Sequence, residues 1–580
     1  MRSGAIVAVT IFCACGDSTA TSTTDGGSTS AASTGSTGGT GSTGAEPTTG
    51  GSTSTASGSD SDSVTGTTGG STEAVTSSTG GTGSTGEAST TDASSSGGTT
   101  GDPLACTDPL ESPGGVIHFG GLGNEQALGF AVGHDGARYS GGLFFGPSVD
   151  LKPGGGAVLP AKGDGGNMWL NKVGADGSYQ YGYSWPTLDG YHCYVWGFAP
   201  DPDGSVFVVG HFVGDLDLDP GPGTDKHVAG NGVGDLGAFL FKLGPDGKYQ
   251  WGRSWSAGEH MTAFGVARAD DGALYVTGYF IGTADLDPGP GAVMATATGP
   301  GNASDSYLSK FDPAGELLWS RTWGAGGELY GYQVGVDGDG NAYVSGTIGG
   351  PGDLDPGPGT QIHNGLGLAD TYVARFLADG TWDWGFGVGG DGYDIFNAIS
   401  VDPEGRVWLA GGFSSAQIDM DPGAGAKTFT LLGPGYDGML ARYTTTGDLD
   451  LAVQLGGPDH DNLWGLATDC AGDTYVSGHF SGAVDLDPGA GVAMHTSGGG
   501  SDAFLLALDG TGAYRWSKSW PGDGGSAGEN VAVDPDRMVH LQISYDGNID
   551  GDAGPGTKMF TDKGSGDVLL EILRPSNGDW

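Results

Sequence analysis

The stretch LYVTGYF at residues 274–280, followed by IGTADLDPGPG at residues 281–291, returns in altered form along most of the chain. The aspartate that begins DLDPGPG has counterparts at intervals of 65 to 68 residues, and six of the seven copies carry Asp-x-Asp. The seven positions are Asp150, Asp217, Asp285, Asp353, Asp419, Asp485 and Asp550. A period this long, filled with short β-type runs and glycine turns, is typical of solenoids and propellers.

The repeat that contains residues 274–280 shows the complete unit. Its β-type runs, at residues 264–269, 274–280, 306–311 and 316–323, are separated by Asp-Gly, Asp-x-Asp-Pro-Gly and Asp-Pro-x-Gly turns. Runs of this kind predict two hairpins in each repeat. Four strands in each of seven repeats predict an all-β fold, a seven-bladed β-propeller of four-stranded blades. The tryptophans that close the fourth strand are predicted to pack between blades: Trp255, Trp323 and Trp520.

The two ends of the repeat region complement each other. The last repeat stops at residues 577–580, where its fourth strand should begin, while residues 115–119 (GVIHF) resemble a fourth strand that has no repeat of its own. We expect this N-terminal strand to complete the last blade, which leaves no sheet edge open. A parallel β-helix would gain nothing from such ends, so the closed ring is favoured.

The first 105 residues differ from the repeats in composition. Residues 1–15 predict an export signal: Arg2, an apolar run at residues 5–12 that is too short to span a bilayer, and the ending FCAC. Cys15 would be the lipidated residue of a lipobox-like end; since Phe12 and Cys13 depart from the usual pattern, a plain secretory signal is the alternative. Residues 16–105, rich in Ser, Thr and Gly, predict a disordered linker, and residues 106–580 the propeller.

This layout predicts an exported protein on a flexible tether. It would be an outer-membrane or cell-surface lipoprotein that contacts the membrane through its lipid anchor only, or alternatively a secreted protein. Besides the signal cysteines, the chain has Cys106, Cys193 and Cys470. Three cysteines allow one disulfide, and the sequence leaves the pair open.

The repeats resemble a known family. LYVTGYF, then DLDPG, then DSYLSKF at residues 305–311 and a turn into Trp319 are similar to bacterial β-propeller repeats known as SBBP repeats, over about residues 115–580. The lipobox-like end and the Ser/Thr/Gly tether are similar to surface lipoproteins of myxobacteria. The resemblance implies an architecture and a location, and no single activity.

The charge of the chain limits its partners. The formal net charge is -47 and the pI is near 4.1. Nucleic acid is therefore excluded as a partner on electrostatic grounds, as is direct binding to anionic lipid. Cations, basic proteins and neutral glycans remain, and we expect a monomer whose partner is an unknown protein or glycan.

The Asp-x-Asp segments are the candidate metal ligands. They belong to the second-to-third strand connections, which in a four-stranded meander share one face with the blade-to-blade connections, where Glu259, Glu328, Asp394 and Asp461 add charge. Alternating Asp followed by Gly is a spacing that turns several oxygens onto Ca²⁺. The alternative is a plain turn in which Asp caps loop amides. The candidate calcium ligands are Asp215, Asp217, Asp219, Asp285, Asp287, Asp353, Asp355, Asp419, Asp421, Asp485, Asp487, Asp550 and Asp552.

Catalytic signals are weak. The chain has no Gly-x-Ser-x-Gly elbow and no His-Glu-x-x-His motif. His211 and His479 share a repeat position and either fill the core or face the central channel. We therefore favour a non-enzymatic, membrane-tethered binding module that uses its acidic loop face. A propeller hydrolase or lyase with a central-channel site, and a structural surface spacer, are the alternatives.

Overall fold

The computed structural model describes residues 115–162, 166–186, 193–230, 235–299, 301, 303–324 and 326–579, all within one compact unit. Every regular element in these ranges is a β-strand. None of the described residues belongs to a helix long and apolar enough to cross a bilayer. The predicted signal, Cys15, the linker and Cys106 lie outside the described residues. The predicted all-β propeller is confirmed as a fold class.

Each sequence repeat contributes an antiparallel meander, whose strands are called first to fourth here. Repeat 1 has Asn124–Val132, Arg138–Phe145, Asn167–Val173 and Tyr179–Trp185. Repeat 2 has Tyr194–Pro200, Val206–Val213, Leu236–Leu243 and Tyr249–Ser256. Repeat 3 has a divided first strand, His260–Met261 and Gly265–Arg268, then Leu274–Ile281, Ser304–Phe311 and Leu317–Trp323.

The later repeats follow the same order. Repeat 4 has Glu328–Val336, Ala342–Gly349, Asp370–Phe376 and Trp382–Val388. Repeat 5 has Asp394–Val401, Val407–Phe413, Asp437–Tyr443 and Leu449–Leu455. Repeat 6 has Asp461–Thr468, Thr474–Asp485, Met494–Leu508 and Tyr514–Trp520. Repeat 7 has Ser526–Val533, Val539–Tyr545 and Asp567–Leu573.

A small hairpin interrupts the second-to-third connection of each repeat, and the Asp-x-Asp segment, or Asp150-Leu-Lys152 in repeat 1, lies at its tip. In repeat 6 the hairpin is continuous with the long second and third strands. Elsewhere it is separate: Ser148–Asp150 with Val158–Pro160, Asp215–Asp217 with Lys226–Val228, Thr283–Asp285 with Met294–Thr296, Pro351–Asp353 with Ile362–Asn364, Gln417–Asp419 with Thr428–Thr430, and Asn548–Asp550 with Met559–Thr561.

The strand Gly115–Gly121 supplies the fourth strand of repeat 7. Its register with the third strand runs from Gly115 opposite Ile572 to Phe119 opposite Val568. Phe119 is buried, and its ring lies 5.6 Å from that of Trp169 in repeat 1. The predicted pairing of the N-terminal segment with the last repeat is confirmed.

Hydrophobic clusters lie between consecutive repeats rather than inside one. The second strand Val206–Val213 is buried along its whole length, because neighbouring sheets cover both of its faces. Tyrosine hydroxyls bind across the same boundaries: Tyr139 donates to the Gly204 carbonyl (2.8 Å) and Tyr343 to that of Gly405 (2.9 Å). The prediction that tryptophans close these boundaries is confirmed, since Trp255, Trp323 and Trp520 are buried in inter-repeat clusters.

Two cysteines lie within the described residues. Cys470 is disulfide-bonded. Cys193 is a buried free thiol whose pKa burial raises to about 11, so it stays protonated at neutral pH.

Candidate binding site at the central channel

The acidic loops are built as self-satisfied turns. In repeat 3, Asp285 Oδ1 accepts the amides of Asp287 (3.2 Å) and Val293 (2.8 Å), which closes the loop at both ends. Asp287 Oδ1 in turn accepts the Gly289 amide at 2.8 Å. The same bonds recur on Asp217 and Asp219, Asp353 and Asp355, Asp419 and Asp421, Asp485 and Asp487, and Asp550 and Asp552. These bonds meet the requirements of the plain turn without a metal ion.

The second glycine of the Asp-x-Asp-Pro-Gly-x-Gly loops is required because a larger residue would collide with the second aspartate. A Cβ added to Gly291 would lie 2.0 Å from Asp287 Oδ2, and the corresponding glycines of other repeats are equally close to their aspartates. In repeat 1, where Lys152 replaces the second aspartate, Asp150 instead accepts amides with both of its oxygens. Calcium binding by the acidic loops stays a prediction; no group of three or more His, Cys, Asp or Glu among the described residues is arranged as a metal site.

We expect Gly291→Ala to lower the free energy of unfolding by about 1–2 kcal/mol, because the Asp287 carboxylate must leave the Gly289 amide that it accepts. The measurement is the urea midpoint of the full chain. Gly338→Ala is the matched control, since its added Cβ would have nothing within 4 Å. Equal midpoints for the two variants would contradict the steric role of the second glycine.

The bases of the small hairpins and the blade-to-blade connections lie on one face. The prediction that the Asp-x-Asp segments lie there too was wrong, because each small hairpin runs down the outside of its blade: Gly289 lines a cavity with Glu316 of the third-to-fourth turn, and the Tyr443 hydroxyl, at the far end of a third strand, donates to the Met420 carbonyl at 2.9 Å. The connection before repeat 3 bonds to that repeat's small hairpin, with the Gly258 amide donating to the Thr283 carbonyl at 3.0 Å. Gly522 bridges Ile549 in the same way before repeat 7. We call the side that carries the blade connections and the hairpin bases the acidic-loop face.

Two of the acids expected on this face are buried instead. Asp394 accepts the Gly390 amide (2.9 Å) and the Ser415 hydroxyl (2.6 Å), and Asp461 accepts the Gly457 amide at 2.6 Å. They brace the blade connections from within, because the tight Gly turn before each first strand leaves amides that need an acceptor. The exposed acids in or just before the described first strands are Glu259, Glu328, Asp391, Asp459 and Asp523.

The buried acids predict a pH dependence of stability. Burial raises the pKa of Asp461 and of Glu125 to about 7, and that of Asp502 to about 6, in each case against backbone amide bonds that lower it. These folded-state values exceed the ordinary value near 4, so the stabilisation is complete below about pH 4 and is lost as the pH rises through 7.

We therefore expect the thermal unfolding midpoint at pH 5 to exceed that at pH 8 by about 5 °C. Lower net charge at pH 5 acts in the same direction. Asp461→Asn separates the two causes, because it removes one buried titrating group and almost none of the total charge. An unchanged pH difference in this variant would show that Asp461 contributes nothing to it.

The opposite face, which carries the short hairpin turns, holds paired charges. Lys242 Nζ lies 2.9 Å from Asp201 Oδ2, and Arg537 Nε lies 2.8 Å from Asp469 Oδ2. Arg375 lies 3.5 Å from Asp337 on the same side. The first aspartate of each acidic loop is bonded to backbone amides, which leave its negative charge in place.

The first strands are the innermost elements of the propeller. Each contacts the first strands of both neighbouring repeats, including Asn124–Val132 with Ser526–Val533. Each also has a break in register at one position, where an extra residue is inserted or, in repeat 3, the strand divides before Gly265. The residues at this position are Leu128, Trp196, Phe264, Tyr332, Asn397, Trp464 and Glu529. Bulges re-aim side chains and are enriched beside functional sites.

In repeats 2 to 4 these bulge residues form a continuous aromatic chain. The rings of Trp196 and Phe264 lie 5.2 Å apart, and those of Phe264 and Tyr332 lie 5.4 Å apart, both edge to face. Tyr330 extends the chain, with its ring 4.5 Å from that of Tyr279. Aromatic pairs at such distances favour fixed orientations.

A second set of rings continues through repeats 5 and 6. Tyr393 lies 6.5 Å from Tyr436, Tyr436 lies 5.3 Å from His460, and His460 lies 5.2 Å from His479. The two sets adjoin: burial raises the pKa of Tyr332 well above its usual value, and the neighbouring Tyr393 adds to the effect. We call the combined set the aromatic arc: Tyr194, Trp196, His211, Phe264, Tyr279, Tyr330, Tyr332, Tyr393, Tyr436, His460, Trp464 and His479.

The two histidines singled out from the sequence belong to this arc. Trp196 Nε1 donates to His211 Nδ1 at 3.0 Å, and Trp464 Nε1 donates to His479 Nδ1 at 2.9 Å. Burial, with a smaller contribution from a neighbouring histidine, lowers the pKa of both to about 3. They are therefore neutral at pH 7. They are buried, as one interpretation of the sequence predicted, and they position tryptophan rings beside the channel, which the other interpretation predicted for the histidines themselves.

The rest of the arc was not anticipated from the sequence, although a signal was present. The bulge residues recur every 65 to 68 residues, in step with the loop aspartates. Their chemical types differ, so they do not stand out as a motif. Repeats 1, 5 and 7 break the series with Leu128, Asn397 and Glu529, and in repeat 5 the connection residue Tyr393 continues the arc instead.

A separate polar cavity of about 480 Å³ lies between repeats 2 and 3. Among its lining residues, His227 Nδ1 lies 2.8 Å from Ser254 Oγ, and His227 Nε2 lies 3.4 Å from Asp225 Oδ1. His227 shares its repeat position with His363 and His495, another recurrence that the sequence reasoning missed. Because His495 likewise contacts Ser519 at 2.9 Å, the His–Ser contact itself belongs to the packing of the small hairpin on the fourth strand.

Comparison with known proteins is consistent with a repeat architecture. No family model matches the chain. An uncharacterised WD-repeat-containing protein of Acanthamoeba polyphaga mimivirus is 22% identical over 355 residues, 52% of this chain and 25% of that protein. The regulatory protein FlaEY of Caulobacter vibrioides is 26% identical over 148 residues, 25% of this chain and 14% of that protein. The chain thus spans a quarter or less of these relatives' length.

Two solved structures are similar at low levels. A mutant puromycin hydrolase complexed with PGG is 15% identical, with a TM-score of 0.34, and the match covers 76% of this chain and 53% of that one. An ulvan lyase of polysaccharide lyase family PL25 is 10% identical, with a TM-score of 0.34, and the match covers 79% and 96%. At these values neither structure informs the activity of this chain.

Proposed function

We propose that this chain is an exported, membrane-tethered seven-bladed β-propeller that acts as a binding module, holding a protein or glycan partner at the channel mouth on the acidic-loop face. One observation carries the proposal: the aromatic arc, in which the rings of Trp196, Phe264, Tyr332 and Trp464 lie at breaks in the innermost strands. The first strands begin, and the second strands end, at the acidic-loop face, so the arc and the exposed acids of the blade connections share one approach for a ligand. Large, half-buried rings of this kind supply contact area at low entropic cost.

The packing of the last repeat on the first supports the seven-bladed ring. Phe119, Val568 and Leu570 share a cluster with Ala127 and Trp169 of repeat 1. Asn530 Nδ2 of repeat 7 also donates to the Leu128 carbonyl at 3.3 Å. A ring closed in this way has no free sheet edge for unwanted pairing.

The tether rests on the sequence of residues 1–105, and its test is independent of the binding site. Wild-type chain expressed in a bacterium with a lipoprotein pathway should incorporate radiolabelled fatty acid and fractionate with membranes. Cys15→Ser should abolish both. Label retained in this variant, or wild-type chain without label, would refute lipid anchoring at Cys15.

Calcium at the acidic loops is part of the same proposal. The Oδ2 atoms of the first aspartates are the oxygens left over by the turn bonds, and extracellular sites of this kind bind at about 10⁻⁴–10⁻³ M. Isothermal titration of the full chain with Ca²⁺ should show heat that Asp217→Asn together with Asp219→Asn reduces. A flat titration, with the same melting temperature in chelator, would remove calcium from the proposal.

The binding role is tested with immobilised panels of glycans and peptides. We expect the full chain to retain at least one probe, and Tyr330→Leu to weaken its binding by about tenfold or more. Trp382→Leu on the outer fourth strand of repeat 4 is the control and should bind normally. Probes bound equally by both variants would place the site elsewhere, and an absence of binding would favour the spacer role.

The Ser254–His227–Asp225 arrangement supports a second candidate, a hydrolase. The serine, the histidine and the carboxylate stand in the order of nucleophile, base and orienting acid, and the Tyr249 hydroxyl holds the second oxygen of Asp225. A fluorophosphonate probe should then label the full chain but not Ser254→Ala, while Ser519→Ala in repeat 6, which lacks the acid, should label normally. No labelling of wild-type chain would exclude a reactive Ser254.

A further inference from the structure

We infer that the aromatic arc binds a positively charged group, an ammonium or guanidinium presented by a basic peptide. The inference rests on the proposed binding role and specifies its ligand. Its basis is the combination at one channel mouth of aromatic ring faces with exposed carboxylates. A cation over an aromatic face is attracted by the ring quadrupole, more strongly where water is excluded.

Exposed acids lie at the rim in four of the five repeats that carry the arc. Glu259, Glu328, Asp391 and Asp459 are exposed and lie in or just before the first strands of repeats 3, 4, 5 and 6, and Asp523 does so in repeat 7, which has no arc ring. Repeats 3 to 6 carry most of the arc, whereas repeat 1 has the exposed Leu122 before its first strand and the aliphatic Leu128 at its bulge. In repeat 4, the Tyr330 hydroxyl donates to Glu328 Oε2 at 3.3 Å, which joins one ring to one acid directly.

The arc itself brings no opposing positive charge at neutral pH. Burial lowers the pKa of His460 as well as those of His211 and His479, so these imidazoles are neutral. Burial raises the pKa of Tyr279 and Tyr393 to about 12, so these rings keep their hydroxyl protons. A bound cation would therefore meet neutral ring faces and, at the rim, carboxylates.

The charge of the whole chain acts in the same direction. With a net charge of -47, the protein attracts cations over long range, and basic ligands associate faster in low salt. The opposite face pairs its acids with Lys and Arg, as Arg375 and Asp337 illustrate. The acidic-loop face combines its acids with rings, so a basic segment is better matched to it than a neutral glycan is.

The test is isothermal titration of the full chain at 150 mM salt, with hexalysine and tetramethylammonium chloride as cationic probes and a neutral hexasaccharide beside them. We expect hexalysine to bind, tetramethylammonium to compete with it, and Tyr330→Leu to weaken hexalysine by about tenfold. Tyr330→Phe keeps the ring and should retain most of the affinity. Glu328→Gln should weaken hexalysine as well.

Three outcomes would overturn the inference. Hexalysine could fail to bind, or it could bind equally to wild-type chain and Tyr330→Leu, which would indicate general attraction to an acidic surface. Alternatively, the hexasaccharide alone could bind and be lost in Tyr330→Leu; the binding role would then stand while its ligand would be a glycan. Phe264→Leu serves as the second variant, and circular dichroism with an unchanged melting curve shows that each variant is folded.

Discussion

Phe119→Ala is expected to lower the free energy of unfolding by about 3–5 kcal/mol, a range measured for truncation of buried phenylalanines. Phe119 is 1% exposed and packs against Trp169 of repeat 1 while its strand pairs with Asp567–Leu573 of repeat 7. A cavity there weakens two contacts at once: the sheet of repeat 7 and its boundary with repeat 1. The measurement is the urea midpoint of the full chain.

Gly115→Ala is the matched control on the same strand. Gly115 pairs with Ile572, yet an added Cβ would have nothing within 4 Å. We expect its midpoint to stay within about 0.5 kcal/mol of wild type. If Phe119→Ala were equally harmless, the N-terminal strand would not hold the ring together. Size-exclusion chromatography adds a second readout, because an exposed edge at Asp567–Leu573 promotes association.

Arg537→Gly is expected to lower the free energy of unfolding by about 2–4 kcal/mol, although it relieves backbone strain. Arg537 is the non-glycine residue with positive φ, 64°, among the described residues. Glycines with φ of 68° to 86° occupy the same turn position in repeats 1 to 6: Gly136, Gly204, Gly272, Gly340, Gly405 and Gly472. Glycine costs least in this conformation, so the backbone alone would favour it in repeat 7 as well.

The guanidinium explains why arginine is present there. Its Nε lies 2.8 Å from Asp469 Oδ2 and its Nη2 lies 2.8 Å from Asp473 Oδ2, so it ties repeat 7 to repeat 6. Asp469 is buried, and without Arg537 its charge keeps only backbone amides and the Tyr475 hydroxyl as partners. Removing one partner of a buried pair is costly because the other charge stays behind.

A double-mutant cycle measures this coupling. Asp469→Asn in the Arg537→Gly background should cost clearly less than in wild-type chain, since the charge it removes is already unpaired. Additive effects, or an Arg537→Gly variant more stable than wild type, would show that backbone strain outweighs the ion pair.

Strand positions were predicted well wherever packing on both faces requires a continuous apolar run. The run at residues 274–280 became Leu274–Ile281. The first strand of the same repeat was predicted less well: residues 264–269 became Gly265–Arg268 preceded by His260–Met261. The strand breaks at Phe264 in the way that a bulge breaks the other first strands. Whether a bulge forms depends on the contacts of the extra side chain with other repeats, and the local sequence pattern carries no information about those contacts.

The loop aspartates make local contacts, whereas the rings of the aromatic arc make contacts between repeats, and only local contacts can be predicted from the sequence pattern. Asp285 and Asp287 accept amides within eight residues of themselves, so their spacing was enough to offer the turn as one of two interpretations. Trp196 and Phe264 are separated by a full repeat and meet because consecutive first strands lie side by side. The prediction that Asp394 and Asp461 add surface charge was wrong, because both carboxylates are buried and accept amides of glycines in the preceding turn. The shape of that turn depends on the neighbouring hairpin, which the local sequence does not show.

By itself the sequence determined the repeat, its four short strands, the all-β propeller and the pairing of residues 115–119 with the last repeat. The repeat follows from the even spacing of the aspartates, the strands from their flanking turn residues, and the pairing from a strand that has no partner in its own repeat. All three can be recognised from neighbouring residues or from the length of the repeat. Only the tertiary structure decided which side chains border the channel and which acids are exposed. Those outcomes depend on contacts between residues that are a full repeat or more apart, and such contacts arise when one blade packs against the next.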